Sequence, residues 1–322
     1  MDSTPAARLK RALDSLEGLS VGDAFGEGFF PSRGMVALLL ESSEFDDAPY
    51  SDLNELFIRR ELIDIRRTQF IPKPWKWTDD TALALEIVAN LRDYRQIEPK
   101  MLARGFAYRY KTDPMRGYGG AMHSLLPDLA LGDWETLAPA LFGGTGSYGN
   151  GAAMRVGPLG AYFADDPYLC ALQAALSSRI THSHAEGVAG GIATAMAACF
   201  AARARELGAE IDLIGEVLPF VPESEVKKRL EQARRMEDVT GEQVADFLGA
   251  GHEVSAYDTV PFCLWCAAQS LEYYEEALWE TVSGLGDRDT TCAIVGGIVA
   301  SFTGADGIPD VWRESREPLG EF

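Results

Sequence analysis

The sequence of 322 residues is poor in positive charge and contains only four histidines. Its 49 Asp and Glu residues outnumber its 29 Lys and Arg residues, which gives a formal net charge of -20. A surface of this sign repels DNA, RNA and anionic lipid, so neither a nucleic acid nor a membrane is an expected partner. An anionic ligand must be attracted locally, by metal ions, helix N-termini or loops of backbone N–H groups.

The chain also lacks a long apolar run and a disulfide framework. Residues 1–11 are polar, unlike a signal peptide, and the longest weakly polar stretch, residues 188–202, is mostly Gly and Ala, which favours close helix packing over lipid. Five scattered cysteines, an odd number, predict free thiols in a reducing cytoplasm. Cys263 and Cys266 have redox or zinc spacing, but no second pair or nearby His completes a tetrahedral site, so we interpret both as core residues of a helix.

Apolar residues recur at helical spacing along most of the chain. The pattern marks a first helix from Leu9 towards Gly22 and a second through Leu83 and Leu91. No alternating pattern is long enough to anchor a sheet. We therefore predict an all-α fold, a helical bundle in which residues 1–322 form a single domain. Further helical runs are predicted at residues 167–177, 186–207, 241–250, 260–276 and 291–302.

Two helical runs and three loops stand out by composition. Residues 187–200 and 291–304 have almost no polar face, so we place both helices at the centre of the bundle. Residues 113–120 and 141–160 are too rich in glycine for helix interiors. Residues 210–235 are charged and polar, and we predict a surface excursion without a catalytic role.

Two clusters of Asp and Thr, at residues 77–81 and 286–290, are each predicted to lie just before a helix. N-capping explains one such residue in each cluster, because Thr and Asp oxygens accept orphan backbone N–H bonds. Adjacent carboxylates beyond that need repel each other unless a cation lies between them. Together the clusters predict two halves of one oxygen-rich site for Mg²⁺, with Mn²⁺ as a substitute and zinc disfavoured.

A glycine-rich run at residues 143–155 and a histidine complete the set of candidate site residues. Glycines at this density allow backbone N–H groups to converge on an anion, although a merely flexible loop has the same composition. The run matches neither the P-loop nor the dinucleotide fingerprint. His182 is predicted to open the central helix, where a structural role and contact with a ligand are both open.

Six short motifs follow one another along the chain: GDAFG at residues 22–26, WTDDT at 77–81, RGYG at 116–119, SYGNGAAMR at 147–155, TH at 181–182 and DRDT at 287–290. These motifs occur in the order seen in ADP-ribosylglycohydrolases, and the chain resembles that family from about Gly18 to Trp312. The likeness is greatest to the branch that acts on serine-linked ADP-ribose, O-acetyl-ADP-ribose and poly(ADP-ribose), but it leaves the acceptor open.

The resemblance implies an all-helical hydrolase that uses two Mg²⁺ ions to cleave ADP-ribose from a protein side chain such as serine or arginine, or from a small-molecule conjugate. Asp80 and Asp287 are assigned to catalysis together with Glu27. The implied metal ligands are Thr78, Asp79, Asp80, Asp287, Asp289 and Thr290. The implied contacts to the ADP-ribose ligand are Gly119, Ser147, Tyr148, Gly149, Asn150, Gly151, Met154 and His182.

The chain departs from the family pattern at two positions. The last metal motif of relatives reads Asp-Thr-Asp-Thr, whereas this chain has Arg288 at its second position, a cation expected to weaken metal binding or to reach a phosphate. Relatives carry a functional Glu four residues after Gly26, where this chain has Phe30. Glu27 and Glu41 are the nearby substitutes, and we assign the role to Glu27, because a glycine-flanked turn can bring its carboxylate to the metals.

Two other functions remain open from the sequence. A protein that has kept the fold for binding ADP-ribose or for a structural purpose would be indicated by loss of the metal carboxylates, yet all four Asp ligands are present. A two-metal hydrolase of another phosphorylated or glycosidic compound would use the same ligands. The sequence does not determine the oligomeric state.

Overall fold

The computed structural model describes residues 1–30, 74–131, 133–320 and 322, and within them the chain is helical. No strand occurs in these residues, and the β pairing they contain is limited to two isolated bridges. The predicted all-α class is therefore confirmed. The helices are α1 Pro5–Glu27, α2 Asp79–Tyr94, α3 Pro99–Thr112, α4 Met122–Asp128, α5 Trp134–Gly144, α6 Gly157–Tyr162, α7 Pro167–Arg179, α8 Ala185–Leu207, α9 Leu213–Val217, α10 Glu225–Ala233, α11 Gly241–Leu248, α12 Ala256–Gln269, α13 Tyr274–Ser283, α14 Arg288–Thr303 and α15 Asp310–Arg313.

The two apolar helices α8 and α14 lie at the centre, as predicted from their composition. Every residue from Gly187 to Ala202 is buried, and so is every residue of α14 from Thr290 to Ser301. Among the described helices, α8 alone has the length and composition to cross a membrane, and 89% of its most apolar window is buried inside the protein. Its apolar surface is therefore satisfied by neighbouring helices.

Helix α1 packs antiparallel against α14 with almost no side-chain atoms between the two backbones. A Cβ atom on Gly18 would lie 2.3 Å from the carbonyl oxygen of Gly296, and one on Gly22 would lie 2.2 Å from that of Cys292. One on Gly26 would lie 2.1 Å from the carbonyl oxygen of Arg288. These three glycines of α1, one turn apart, form the glycine ladder on which the two helices meet.

Both Asp and Thr clusters lie partly inside their helices, which corrects the predicted helix starts. Helix α2 begins at Asp79 rather than near Ala82, because Thr78 is the N-cap and its hydroxyl accepts from the amide of Asp80. Helix α14 begins at Arg288, with Asp287 as the N-cap. Acidic residues are favourable in a first turn as well as at a cap, so the cluster runs on into each helix.

The predicted helix over residues 260–276 is wrong, because the chain forms two helices there. Helix α12 begins earlier, at Ala256, where Ser255 caps it by accepting from the amide of Asp258. It ends at Gln269, and α13 follows at Tyr274. The apolar pattern continues across this break, which is why periodicity alone missed it.

The stretch at residues 210–235 is not the predicted surface excursion. It forms α9 and α10 and contributes fully buried Val226 and Leu230 to the core. The carboxylate of Glu186 on α8 accepts from the first amides of α10 at 2.8 and 3.0 Å. The charged residues of α10 hid its apolar face, although Val226, Leu230 and Ala233 have helical spacing.

Two smaller corrections concern the loop at 141–160 and the start of α8. Leu141, Phe142 and Gly143 near the end of α5 have non-helical backbone angles, so the loop begins where it was predicted. Further along, residues Asn150–Ala152 form a 3₁₀ turn and α6 begins at Gly157, so the second part of this loop is partly helical. His182 does not open α8, because His184 is the N-cap and accepts from the amide of Glu186. The five cysteines are free and buried, including Cys263 and Cys266 on α12.

Candidate active site

Most of the predicted site residues line one cavity of about 480 Å³, although they come from loops and helix starts that are far apart in sequence. Thr78 and Glu27 do not line it, and Glu41 lies outside the described residues. A volume of this size suits one small-molecule ligand. The predicted residues that line the cavity are Asp79, Asp80, Gly119, Ser147, Tyr148, Gly149, Asn150, Gly151, Met154, His182, Asp287, Asp289 and Thr290.

Asp23 braces the first helix start, a role that the sequence analysis missed. Its side chain is fully buried, and it accepts from the amide of Thr78 at 2.9 Å and from the hydroxyl of Thr78 at 2.9 Å. It also accepts from the amide and hydroxyl of Thr81 at 3.1 and 2.5 Å. Burial raises the pKa of Asp23 to about 6 against the opposing effect of these bonds. Residues 22–26 carried a family motif, which was the available signal.

Thr78 lies behind the first pair of carboxylates rather than in the cavity. Its hydroxyl oxygen is 2.9 Å from a carboxylate oxygen of Asp80 as well as from Asp23. The predicted ligand role of Thr78 thus competes, in this arrangement, with its role as the link between two aspartates. Asp79 and Asp80 follow it in the first turn of α2, where the helix dipole favours negative charge.

The second helix start is held by a different set of contacts. The side-chain amide of Asn150 donates to Asp287 at 2.8 Å and to the hydroxyl of Thr259 at 3.1 Å. Asp289 accepts from the amide of Thr290 at 2.9 Å. Asn150, predicted as a ligand contact, therefore also orients a predicted metal ligand.

The carboxylates around the cavity form a buried cluster of like charge. Burial and the charge of Asp23 raise the pKa of Asp79 to about 8. Burial and neighbouring aspartates raise the pKa of Asp80 and of Asp289 well above their ordinary values. One oxygen of Asp80, Oδ1, is buried and has no hydrogen-bond partner among the described residues. A cation bound here would satisfy this oxygen and offset the repulsion between the carboxylates.

The side chains do not already converge as a complete ligand set. Within the described residues, no three His, Cys, Asp or Glu side chains lie close enough together to hold an ion as they stand. Asp80 is turned towards Thr78 and Asp287 towards Asn150. The donor set, which is oxygen only and buried, fits a hard cation such as Mg²⁺, provided that these two carboxylates turn away from their hydrogen-bond partners.

The glycine-rich loop presents backbone at close range to His182. A Cβ atom on Gly151 would lie 2.9 Å from Cε1 and 3.1 Å from Nε2 of His182, and one on Gly149 would lie 3.4 Å from Nε2. Gly146, with φ +74°, adopts a conformation that favours glycine. The loop is thus shaped by these contacts rather than being a loose connection.

Two buried residues behind His182, Arg155 and Thr181, belong to the sequence motifs but had no predicted role. The Thr181 hydroxyl lies 2.7 Å from Nδ1 of His182, and the guanidinium of Arg155 donates to that hydroxyl at 2.7 Å. Arg155 is fully buried and lines the cavity, and its Nε and Nη1 atoms donate no hydrogen bond to any described residue. Burial lowers the pKa of Arg155 to about 9.

The rim of the cavity contains residues that the sequence analysis did not identify. Phe142 and Val254 both line it with positive φ angles, 52° each, and both side chains are more than half exposed. A valine in the left-handed region is strained, and the carbonyl of Val254 accepts from the amide of Asn150 at 3.2 Å. Glu253 also lines the rim and accepts from the Tyr257 hydroxyl at 3.2 Å.

The two departures from the family pattern contact each other. The guanidinium of Arg288 lies 4.3 Å from the ring centre of Phe30, and it donates to the carbonyl oxygen of Phe29 at 3.3 Å. Arg288 is fully buried and does not line the cavity. The expectation that it reaches a phosphate is therefore wrong in this arrangement, because the side chain points towards the end of α1.

Glu27, the last residue of α1, lies beside both halves of the cluster. Partial burial of its carboxylate and the charge of Asp23 raise the pKa of Glu27 to about 7, with Asp287 adding to the shift and Arg288 opposing it. The residue as a whole is still exposed. A carboxyl group with a pKa near 7 is suited to proton transfer.

Comparisons with known proteins agree with the resemblance. The family model described as ADP-ribosylglycohydrolase matches residues 4–321. ADP-ribosylhydrolase ARH3 of Homo sapiens is 29% identical over 277 residues, which is 76% of each chain. ADP-ribosyl-[dinitrogen reductase] glycohydrolase of Rhodospirillum rubrum is 26% identical over 94% of this chain and 88% of that protein. A solved structure titled ADP-ribosylglycohydrolase-related protein complex shares the fold, with a TM-score of 0.57 and 22% identity over 97% of this chain and 94% of that chain.

Proposed function

The chain belongs to the ADP-ribosylglycohydrolase family, and from that premise we propose that its cavity binds ADP-ribose against two Mg²⁺ ions. As in other members, the activity is hydrolysis of the linkage between ADP-ribose and its acceptor. The buried carboxylate cluster carries the proposal for the metals, above all the Oδ1 atom of Asp80, which accepts no hydrogen bond from the part of the chain that the structure describes. A cluster of this kind is stable only if its charges are neutralised by protons or by cations.

The proposed metal ligands come from the two helix starts. Asp79 and Asp80 supply oxygens from α2, and Asp287, Asp289 and Thr290 supply them from α14. Thr78 would join them by turning its hydroxyl from Asp23. The ions, when bound, would polarise hydroxyls of the ligand and lower the pKa of nearby water, and Mn²⁺ has the ligand preferences to replace Mg²⁺.

The remaining residues have separate tasks in the proposed reaction. The loop at residues 147–151 contacts the diphosphate through backbone N–H groups other than those of Gly149 and Asn150, which already donate to the Ser147 hydroxyl and to the carbonyl of Val254. Gly119 and Met154 line the cavity and complete the contact surface. Glu27, which does not line the cavity in this arrangement, would turn its carboxylate towards the ligand to move a proton or hold the attacking water near the anomeric carbon, so that water replaces the acceptor there.

The proposed substrate is an ADP-ribosylated protein or a small-molecule ADP-ribose conjugate. The similarity to ADP-ribosylhydrolase ARH3 supports this class without choosing between serine, arginine and O-acetyl acceptors. The five free cysteines support the cytoplasm as the proposed location. Phe30 and Arg288, which replace a family glutamate and threonine, favour one second candidate, a protein that binds ADP-ribose without turnover.

Turnover by purified protein separates the candidates. Peptides ADP-ribosylated on serine or on arginine, and O-acetyl-ADP-ribose, are incubated with protein and Mg²⁺, Mn²⁺ or a chelator, and released ADP-ribose is measured. We expect release with either ion, and at least a hundredfold less with chelator. Binding of ADP-ribose without release from any substrate would indicate the inactive protein. Release that persists in chelator would contradict the metals, and neither binding nor release would contradict the function.

A further inference from the structure

The buried guanidinium of Arg155 determines the direction of a hydrogen-bond chain that ends in the cavity. Arg155 donates from Nη2 to the Thr181 hydroxyl at 2.7 Å and to the carbonyl of Ser177 at 3.3 Å. An arginine side chain carries donors and no acceptor. The Thr181 oxygen is therefore the acceptor in this contact, and its own proton remains to be given elsewhere.

The proton of Thr181 has one acceptor within reach. Nδ1 of His182 lies 2.7 Å from the Thr181 oxygen, and no other acceptor contacts this hydroxyl in the described residues. If Nδ1 carried a proton instead, Thr181 would receive two donated bonds and its buried hydroxyl proton would have no partner. The chain thus runs from Arg155 through Thr181 to a bare Nδ1, which leaves the imidazole proton on Nε2.

Nε2 is the atom of His182 that faces the glycine-rich loop. Within the part of the chain described, no carbonyl or side chain accepts from it, and it lies beside the backbone of Gly149 and Gly151. A protonated Nε2 there offers a hydrogen bond to a ligand oxygen, whereas a bare Nε2 would present a lone pair to an anion. Burial and the charge of Arg155 lower the pKa of His182 to about 3, so the ring is neutral.

We propose that Arg155 and Thr181 are positioning residues that hold neutral His182 as its Nε2–H tautomer, so that it donates to an oxygen of the ligand bound at the Gly149–Gly151 backbone. The identity of that ligand as ADP-ribose rests on the proposed function. The direction of the hydrogen-bond chain does not, because it follows from contacts within the protein. The amide of His182 is itself fixed, since it donates to the carbonyl of Ser178 at 2.8 Å.

Long-range ¹H–¹⁵N spectra of protein labelled at its four histidines test the tautomer directly. A His182→Asn variant identifies the signals of His182 by their loss. We expect wild-type protein at pH 7 to show a proton on Nε2 and none on Nδ1. A ring that is protonated on Nδ1, or on both nitrogens, would overturn the proposal whatever the protein binds.

Variants of Thr181 connect the tautomer to affinity. Thr181→Val removes the hydroxyl at nearly constant volume, and we expect a mixture of tautomers and about tenfold weaker binding of ADP-ribose by calorimetry, the scale of one hydrogen bond. Thr181→Ser keeps the hydroxyl and should show the wild-type tautomer and the wild-type affinity for ADP-ribose. Wild-type tautomer and affinity in Thr181→Val would overturn the relay.

A matched control separates the relay from general loss of stability. Thr281→Val also deletes a buried hydroxyl, one that donates to the carbonyl of Ala277 at 2.7 Å away from the cavity. It should lower the thermal midpoint without changing the tautomer or the affinity. If wild-type protein shows the expected tautomer yet does not bind ADP-ribose, the proposed function fails while the hydrogen-bond chain stands.

Discussion

The two helix starts that supply the carboxylates look alike in sequence but are held in different ways. At the start of α2, Asp23 accepts from the amides and hydroxyls of Thr78 and Thr81, so backbone and side chains are braced together. At the start of α14, Asp287 makes no side-chain capping bond and is held by Asn150 from a loop. The start of α2 is therefore held by a side chain of the neighbouring helix α1, and the start of α14 is held by the loop that lines the cavity.

The difference points to α1 as the element that joins the halves. Asp23 braces α2, and Gly26, one turn later on the same helix, allows α14 to approach. Glu27 follows at the end of α1, where the charges of Asp23 and Asp287 both reach it. A single helix thereby sets the separation of the two carboxylate pairs, which neither cluster sets alone.

The largest effect is expected when one carboxylate is removed from each half. Asp80→Asn and Asp289→Asn should each lower turnover about 10³-fold, the upper scale for loss of one electrostatic group at a reaction centre. Initial rates with Mg²⁺ measure this. Without metal, the thermal midpoint should stay equal or rise, because a buried like charge is lost. Full activity in both variants would contradict the two-metal assignment.

The next effect concerns Glu27, which lies beside both halves. Glu27→Gln should lower the turnover rate about 10²-fold, as expected for a lost acid–base group, while ADP-ribose still binds. Single-turnover rates and calorimetry distinguish the two quantities. Glu41→Gln, measured in parallel, is the control. Wild-type turnover in Glu27→Gln with a loss in Glu41→Gln would move the role to Glu41.

A third variant tests the brace that distinguishes the halves. Asp23→Asn has one acceptor oxygen in place of two, so we expect the free energy of unfolding to fall by about 2 kcal/mol. Affinity for Mn²⁺ should fall about 10- to 100-fold, the scale for groups that orient ligands. The matched change in the other half, Asn150→Ala, should cost about 1 kcal/mol. Equal losses of stability would mean that the halves are not held differently.

The smallest effect should come from the loop, without touching either helix start. Gly151→Val brings a side chain against His182, where even a Cβ would lie 2.9 Å from Cε1. We expect about tenfold weaker binding of ADP-ribose, because backbone approach to the phosphate is blocked. Calorimetry with Mn²⁺ should show unchanged metal affinity. Unchanged ADP-ribose affinity would mean that the loop only connects α5 to α6.

The sequence predicted most closely those helices in which apolar or small residues recur at helical spacing. Helices α1, α7, α8 and α14 were predicted close to their observed positions, because period and burial agree there. The helix starts were misplaced by about three residues, since acidic residues suit a cap and a first turn equally. The division between α12 and α13 was missed because the apolar pattern crosses it.

The candidate site could be predicted wherever its residues form a conspicuous local run. The Asp and Thr clusters and the glycine-rich loop can be recognised from the sequence alone, and most of their residues line one cavity. The residues that hold these site residues in place cannot be recognised from the sequence. Asp23 meets Thr78 across 55 positions of sequence, and Arg155 meets Thr181 across 26, so their roles exist only in the folded chain.

The glycine ladder between α1 and α14 restricts how this active site can vary. Because backbone meets backbone at Gly18, Gly22 and Gly26, the two helices cannot slide by a fraction of a turn without a collision. The next register that offers glycine to the facing carbonyls is four residues away, about 6 Å along the helix axis. The distance between the two carboxylate pairs can therefore change only in steps from one glycine register to the next. A substitution that changes this distance by a smaller amount would leave α1 and α14 without a close packing.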